Sequence, residues 1–134
     1  MDFLLDTHIA LWLMNGDPRI TDEIREVLSN KRNKFYYSVI SMWEVSIKHT
    51  AKPDSLSETG ISFMHKCEQS GFEKLAFDDR HIVALESLAQ NPEKPVHRDP
   101  FDRILLAQAK ADGMTLLTHD TKFLSFNEPY YRVM

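Results

Sequence analysis

The chain is poor in cysteine and glycine and has no long apolar segment. Its single cysteine, Cys67, excludes an internal disulfide and fits a reducing compartment. With only four glycines, it has no glycine-rich phosphate loop. No apolar run approaches the roughly 18 residues that a membrane span requires. The N-terminal residues 1–6 also lack the basic and apolar regions of a signal peptide. We therefore expect a cytoplasmic protein that does not enter a membrane.

The chain also lacks the excess of positive charge that is typical of nucleic-acid-binding proteins. Its net charge is −4 and its isoelectric point is about 5.8. Proteins that bind nucleic acid by bulk electrostatics are usually basic. If this chain acts on nucleic acid, a bound divalent cation and a few lysine and arginine side chains must supply the positive charge locally.

Short apolar segments alternate with amphipathic ones along the 134 residues, a length that fits a single domain, 1–134. The apolar segments predict strands at about residues 3–5, 35–37, 72–77, 114–117 and 131–134. The amphipathic segments predict helices at about 7–13, after Thr21, and at 42–49, 58–70, 79–90 and 101–111. This alternation is typical of a three-layer α/β/α domain with a mostly parallel sheet of about five strands.

Four acidic residues occupy comparable places in this pattern. Asp6 and Asp120 follow predicted strands, whereas Glu44 and Asp102 lie near the starts of predicted helices. Ligands of open α/β sheets bind beyond the carboxyl ends of the strands, so these four side chains are candidates for one site. A cluster of like charge is unfavourable unless a cation neutralises it, and oxygen ligands favour Mg²⁺ or Mn²⁺.

Helix capping is the competing explanation for several of these acids. Ser41 and Glu44 have the spacing of a capping box, and Asp99, Pro100 and Asp102 fit the first positions of a helix. We interpret Ser41 and Asp99 as caps. Capping does not explain Asp6, which directly follows an apolar strand.

Histidine and cysteine side chains add further candidates. His8, His97 and His119 each lie close in sequence to an acid, and direct ligation by any of them shifts the preference towards Mn²⁺ or Zn²⁺. A single histidine beside an acid is more often a hydrogen-bond partner than a ligand. Cys67 lies on the apolar face of a predicted helix and is expected in the core.

Four segments in order give the chain a close resemblance to PIN-domain proteins of the VapC-like toxin group. They are residues 4–12 (LLDTHIALW), 41–48 (SMWEVSIK), 97–109 (HRDPFDRILLAQA) and 116–120 (LLTHD). The resemblance extends over the whole chain. It implies a five-stranded parallel sheet, RNA cleavage that depends on Mg²⁺ or Mn²⁺, a cognate antitoxin as partner, and a homodimer.

The resemblance also implies roles for individual residues. Asp6 and Asp102 match metal ligands, Glu44 matches a ligand through water or an acid that orients the attacking water, and Asp120 matches an outer ligand. Asp99 matches a further acid whose role is less defined. We expect Ser38 and Thr118 to hydrogen-bond the acids. Positive charge for RNA phosphates is expected from Arg98, Arg103, Lys48 and His97, with a solvated surface charge as the alternative for each.

Other functions fit less well. A phosphate-accepting receiver domain needs adjacent acids after its first strand, and a haloacid-dehalogenase-like phosphatase needs Asp-x-Asp where this chain reads Asp6-Thr7-His8. A non-toxic PIN-fold nuclease and a catalytically silent metal- or protein-binding module remain alternatives. An apolar groove for an antitoxin helix is expected beside the acids, lined by Trp12, Leu13, Met14, Met42 and Trp43. Burial of these side chains in the core is the alternative, and we favour it for Leu13.

Overall fold

A parallel sheet of five strands organises the computed structural model, which describes all 134 residues. The strands are β1 (Asp2–Leu5), β2 (Lys34–Ser38), β3 (Glu73–Leu75), β4 (Thr115–Thr118) and β5 (Tyr131–Val133). They lie in the order β3-β2-β1-β4-β5, and every neighbouring pair is parallel. The prediction of a five-stranded parallel sheet is therefore confirmed.

Six α-helices and one short 3₁₀ helix connect the strands. They are α1 (Thr7–Met14), α2 (Asp22–Ser29), α3 (Val39–Ala51), α4 (Gly60–Gln69), α5 (Asp79–Glu86), α6 (Pro100–Asp112) and the 3₁₀ helix Thr121–Ser125. None of these helices has the length and apolar composition that would let it cross a membrane.

The central strands separate two hydrophobic cores, because successive side chains of a strand point to opposite faces. Leu4 and Leu116 pack with the buried residues of α5 and α6 on one face. Phe3, Leu5 and Leu117 pack on the other face with residues of α1, α2, α3 and α4, and Cys67 is buried among them as expected. These two cores make the predicted three-layer architecture.

The start of α3 differs from the prediction. The helix begins at Val39, directly after β2, and the Ser38 hydroxyl accepts a hydrogen bond from the Ile40 N–H at 3.0 Å. The interpretation of Ser41 as the cap is wrong, because Ser41 is buried inside the helix and its hydroxyl lies 2.7 Å from that of Thr7. Glu44 consequently lies in the second turn of α3.

Two other helix boundaries agree with the sequence pattern. Asp99 caps α6, accepting a hydrogen bond from the Asp102 N–H at 3.0 Å, and Pro100 occupies the first turn. Gly113 ends α6 with φ of 66°, a left-handed conformation that glycine adopts without strain. Asp99 and Gly113 thus fix the ends of the helix that carries Asp102.

Candidate metal centre

The order in which the strands are added to the sheet switches sides at β1: β2 and β3 lie on one side of it, and β4 and β5 lie on the other. Leu5 pairs with Leu117, and the Asp6 N–H donates a hydrogen bond to the Leu117 carbonyl at 3.0 Å. The next strands, β2 and β5, lie on opposite sides of this pair. Such a point opens a crevice at the carboxyl ends of the strands. Asp6 and Asp120 both lie at that edge.

Asp6 is fixed by a hydrogen bond from the neighbouring strand. The residue is only 3% exposed, and its Oδ2 accepts a hydrogen bond from the Thr118 hydroxyl at 2.7 Å. Burial raises the pKa of Asp6, although the bond from Thr118 and the charge of His8 act in the opposite direction. A positive charge beside this carboxylate would therefore be stabilising.

Asp102 projects from the first turn of α6 into the same crevice. Its Oδ2 lies 2.7 Å from His97 Nε2. Burial, as the largest cause, and the negative charges of four neighbouring acids together raise the pKa of Asp102 to about 8; the four acids are Asp6, Asp99, Glu44 and Asp120. The other three predicted acids therefore lie close enough to Asp102 to affect its carboxyl group.

Asp120 completes the cluster from the loop after β4. Its Oδ1 accepts a hydrogen bond from the Lys122 N–H at 2.9 Å, which caps the 3₁₀ helix. Potential ligand atoms of His97, Asp102 and Asp120 lie within 4.8 Å of one another. Asp120 thus caps the 3₁₀ helix and also belongs to the acidic cluster.

Glu44 differs from the other three acids because both of its oxygens are engaged. Oε1 accepts a hydrogen bond from the Thr7 hydroxyl at 2.7 Å, and Oε2 lies 2.6 Å from Lys48 Nζ. Burial lowers the pKa of Lys48, but Glu44 and the more distant charges of Asp99 and Asp102 raise it by more. The Lys48 ammonium group thus lies within the field of the acidic cluster.

The donor groups fit a divalent cation. No side chain donates a hydrogen bond to Asp6 Oδ1, Asp102 Oδ1 or Asp120 Oδ2, whereas the second oxygen of each of these carboxylates is held by the protein. Fixed carboxylates with one free oxygen each are suitable ligands for Mg²⁺ or Mn²⁺. The free oxygens thus belong to three of the four predicted acids.

The two residues that were expected to support the acids behave differently. Thr118 donates to Asp6, as described above. Ser38 contacts none of the acids, because its hydroxyl caps α3 and donates to Gln108 Oε1 at 2.5 Å. Thr7 and Ser41 were not predicted as supporting residues. The only sequence signal for Thr7 is its position directly after Asp6.

The predicted RNA-contacting cations are engaged to different degrees. Arg98 is exposed and makes no hydrogen bond or ion pair. Arg103 is half-buried, donating to the His97 carbonyl at 3.2 Å and lying over the Phe126 ring at 5.5 Å. Lys48 is paired with Glu44, and His97 is largely buried beside Asp102. Arg98 is thus the one member of this set that has no partner within the protein.

His8 and His119, the other two histidines that were candidate ligands, line a small pocket of about 240 Å³ that reaches Asp6 and Asp120. His8 and His119 are exposed, and their rings lie 6.3 and 5.5 Å from that of Trp12. Arg19 covers the Trp12 ring at 4.6 Å. Aromatic and cationic groups therefore border the acids on the side of α1.

Trp12 and Trp43 line two separate grooves, so the expectation of one shared groove is wrong. A groove of about 600 Å³ runs between α1, α3 and residues 52–56, and Trp12, Leu11, Val45 and Leu56 form its apolar wall. A second groove of about 550 Å³ contains Trp43, which is 58% exposed. We call them the Trp12 groove and the Trp43 groove.

The Trp43 groove lies between α3, α5 and α6. The Trp43 ring meets that of Phe101 edge to face, with centroids 5.1 Å apart. Its other lining side chains include the exposed apolar residues Phe77 and Ile82 and the cation Arg98. Leu13 and Met14 pack against the core formed by α1 to α4, as was expected of Leu13.

Comparison with known proteins gives a family match over almost the whole chain. The model of the family described as "PIN domain" matches residues 3–129. Among curated protein sequences, none matches this chain.

Several solved structures share the fold at low sequence identity. The VapBC2 complex of Rickettsia felis, bound to a DNA fragment from its promoter, contains a chain that is 19% identical. The alignment covers 98% of each chain, and the TM-score is 0.69. VapBC-1 of nontypeable Haemophilus influenzae contains a chain that is 16% identical, with 98% of this chain and 97% of that chain covered and a TM-score of 0.62.

A third similar structure is FitAcB of Neisseria gonorrhoeae. It contains a chain that is 21% identical, with 92% of this chain and 91% of that chain covered and a TM-score of 0.57. The family match, the parallel sheet and the acids at its carboxyl edge agree with one another. The chain therefore belongs to the PIN domain family.

Proposed function

We propose that this chain is a divalent-metal-dependent endoribonuclease and the toxin of a toxin–antitoxin pair. The observation that carries the proposal is the cluster of Asp6, Asp102 and Asp120, each with one fixed and one free carboxylate oxygen, at the crevice of a PIN fold. The similar folds found in VapBC complexes support the toxin half of the proposal.

The chemistry follows from the three free carboxylate oxygens. Asp6, Asp102 and Asp120 would hold Mg²⁺ or Mn²⁺. When bound, such an ion makes a water molecule a better nucleophile and offsets negative charge on the attacked phosphate. Thr118 and His97 keep the Asp6 and Asp102 carboxylates in place. Glu44, held by Thr7 and Lys48, would orient the attacking water.

RNA is the proposed substrate despite the net charge of −4. The cation would reduce the negative potential of the crevice, and Arg98, which follows His97 in the chain, offers an exposed guanidinium group that has no partner within the protein. A cytoplasmic location is consistent with this substrate and with the unpaired, buried Cys67 thiol.

The Trp12 groove is the proposed seat of an antitoxin segment. Its apolar wall suits the apolar face of a helix or an extended segment. His8, Trp12 and Arg19 line both this groove and the small pocket that reaches Asp6 and Asp120. A basic side chain of the antitoxin would thus meet the acids and exclude the cation.

The Trp43 groove is the proposed homodimer face. Trp43, Phe77 and Ile82 leave apolar surface exposed on one side of the protein. Aromatic side chains of this kind are frequent at the centres of protein interfaces.

An RNA cleavage assay tests the nuclease. We expect cleavage of a single-stranded RNA with Mn²⁺ or Mg²⁺, no cleavage with a chelator, and loss of cleavage in D6N. D79N is the matched control, because Asp79 is exposed and makes no hydrogen bond. Growth arrest on induction, relieved by D6N, tests toxicity separately, since a non-toxic PIN nuclease would cleave RNA without arresting growth. Absence of metal-dependent cleavage by the wild-type chain would refute the proposal.

A further inference from the structure

Glu44 is the only one of the four clustered acids with both oxygens engaged by side chains of the protein. We propose that Lys48 is a positioning residue that, together with Thr7, holds Glu44 away from the metal ion and aims its carboxylate at the reacting water. This inference rests on the proposed nuclease function. It assigns Lys48 to the active site as an internal counter-ion rather than as an RNA contact.

The clamp is built from one face of α3 and the first residue of α1. Ser41, Glu44 and Lys48 lie on the same face, because residues three and four positions apart are neighbours on a helix. Glu44 is almost wholly buried, with 4% of its side chain exposed, whereas 49% of the Lys48 side chain is exposed. Lys48 therefore reaches inward from the surface with its ammonium group.

The direction of the hydrogen bonds in the clamp is determined. An ionised carboxylate only accepts, so the Thr7 hydroxyl donates its proton to Glu44 Oε1. Thr7 then accepts the bond from Ser41, whose hydroxyl lies 2.7 Å away and is also buried. A three-residue chain therefore fixes one oxygen of Glu44, and Lys48 fixes the other.

A buried carboxylate requires such partners. An ionised carboxyl group that loses its only charged partner is strongly destabilised, because the surrounding protein solvates it poorly. Without Lys48, the nearest compensating charge for Glu44 would be the cation bound by Asp6, Asp102 and Asp120. The freed Oε2 would then turn towards that cation, and the metal centre would gain a ligand while the water lost its orienting group.

Mn²⁺ affinity measured by calorimetry on the full chain tests this step without relying on activity. We expect K48M to bind Mn²⁺ about tenfold more tightly, because one repelling charge is removed and one carboxylate is released. K52M is the matched control, since Lys52 ends the same helix, is exposed and makes no side-chain hydrogen bond or ion pair. We expect its Kd for Mn²⁺ to stay within about twofold of the wild type, because solvent and salt screen an exposed charge.

The variant that binds Mn²⁺ more tightly should nevertheless cleave RNA more slowly. K48M should reduce kcat while leaving KM for RNA nearly unchanged, and K48R should retain more of kcat because it keeps the cation. If Lys48 is instead a phosphate contact, K48M will raise KM and weaken RNA binding by the metal-free protein, with Mn²⁺ affinity unchanged. That pattern would overturn the inference.

Introducing K48M into E44Q tests whether the effect of Lys48 on Mn²⁺ binding depends on the Glu44 carboxylate. In E44Q no carboxylate is available for release, so adding K48M should tighten Mn²⁺ binding much less than it does in the wild-type background. Equal tightening in both backgrounds would mean that Lys48 acts only as a distant charge, and the clamp would be rejected. A wild-type chain that binds no Mn²⁺ would overturn the proposed function itself. Binding by the wild type with an unchanged Kd in K48M would overturn only the role of Lys48.

Discussion

His97 and Asp102 face each other across the start of α6, with Nε2 of the imidazole 2.7 Å from Oδ2 of the carboxyl group. Burial lowers the pKa of His97, so its ring is neutral at pH 7. When Asp102 is ionised, as it must be to hold a cation, the imidazole donates its Nε2–H to it. The histidine thereby fixes the carboxylate and leaves Oδ1 free.

Removing this contact should weaken metal binding without unfolding the protein. We expect H97A to raise the Kd for Mn²⁺ by about 10-fold to 100-fold, the range typical of lost supporting hydrogen bonds around a metal. Calorimetry provides the measurement, and H65A is the control because His65 is exposed on α4 and has no hydrogen-bond partner. An unchanged Kd in H97A would show that Asp102 needs no orienting partner.

The stability of the metal-free protein should fall as the pH rises. The pKa of Asp102 is about 8 in the folded chain against 3.8 as the ordinary value, so the folded state keeps a proton that the unfolded chain has lost. Between about pH 4 and pH 8 the unfolded state therefore binds fewer protons, and the free energy of unfolding decreases with pH. The raised pKa of Asp6 acts in the same direction. The lowered pKa of His97 opposes it below about pH 6.5, so the decline should be clearest between pH 6.5 and pH 8.

Melting temperatures in the presence of a chelator, at pH 5 to 8, measure this effect. D102N should flatten the decline, because the amide does not ionise. Saturating Mn²⁺ should stabilise the wild type more at pH 8 than at pH 6, since the cation favours the ionised carboxylates. A melting temperature of the metal-free wild type that rises steadily from pH 5 to pH 8 would contradict the clustering of these charges.

The positions of the acids in the fold were predictable because local rules determine them. An apolar strand followed by an acid placed Asp6 and Asp120 at the carboxyl edge of the sheet, and the Asp99-Pro100 pair marked the start of α6. The start of α3 was less predictable. Val39 and Ile40 are β-branched and continue the apolar pattern of β2, but packing of the helix against the sheet outweighs that preference.

Contacts between distant parts of the chain account for the remaining differences. Thr7 and Glu44 are far apart in sequence, and only the packing of α1 against α3 brings their side chains together. The same packing separates Trp12 from Trp43, since the two helices present these rings to different sides of the protein. Residue spacing carries no information about either relationship.

Asp99 should matter less for catalysis than Asp102. Its Oδ1 caps α6, a role that a serine hydroxyl also fills, and the loss of such a cap costs about 1 kcal/mol. D99S should therefore retain most of its RNA cleavage rate. D102S should lose about 100-fold or more in rate, because the cation that would stabilise the developing negative charge loses one of its ligands. Equal losses in the two variants, measured at saturating Mn²⁺, would make Asp99 a ligand as well.

Trp12 should carry binding of the antitoxin. Its ring lines both the Trp12 groove and the pocket at Asp6 and Asp120, so W12A removes contact area at the place where a bound segment would block the acids. We expect W12A to cleave RNA but to resist inhibition by the cognate antitoxin. Dose–inhibition curves give the measurement, and a melting curve establishes that W12A is folded. Full inhibition of folded W12A would move the antitoxin site away from the Trp12 groove.

Trp43 should control the oligomeric state. The ring is 58% exposed and touches Phe101 only edge to face, so W43A should fold with little loss in melting temperature. If the Trp43 groove is the homodimer face, sedimentation should show a dimer for the wild type at micromolar concentration and a shift towards monomer for W43A. L124A is the control, because Leu124 is an exposed apolar residue on the 3₁₀ helix and does not line that groove.

A dimer that persists in W43A would place the contact on another face, and a monomeric wild type would remove the homodimer from the proposal. Mn²⁺ affinity should be the same in W43A and the wild type, since Trp43 contacts none of the four acids, and this measurement separates the dimer from the metal centre.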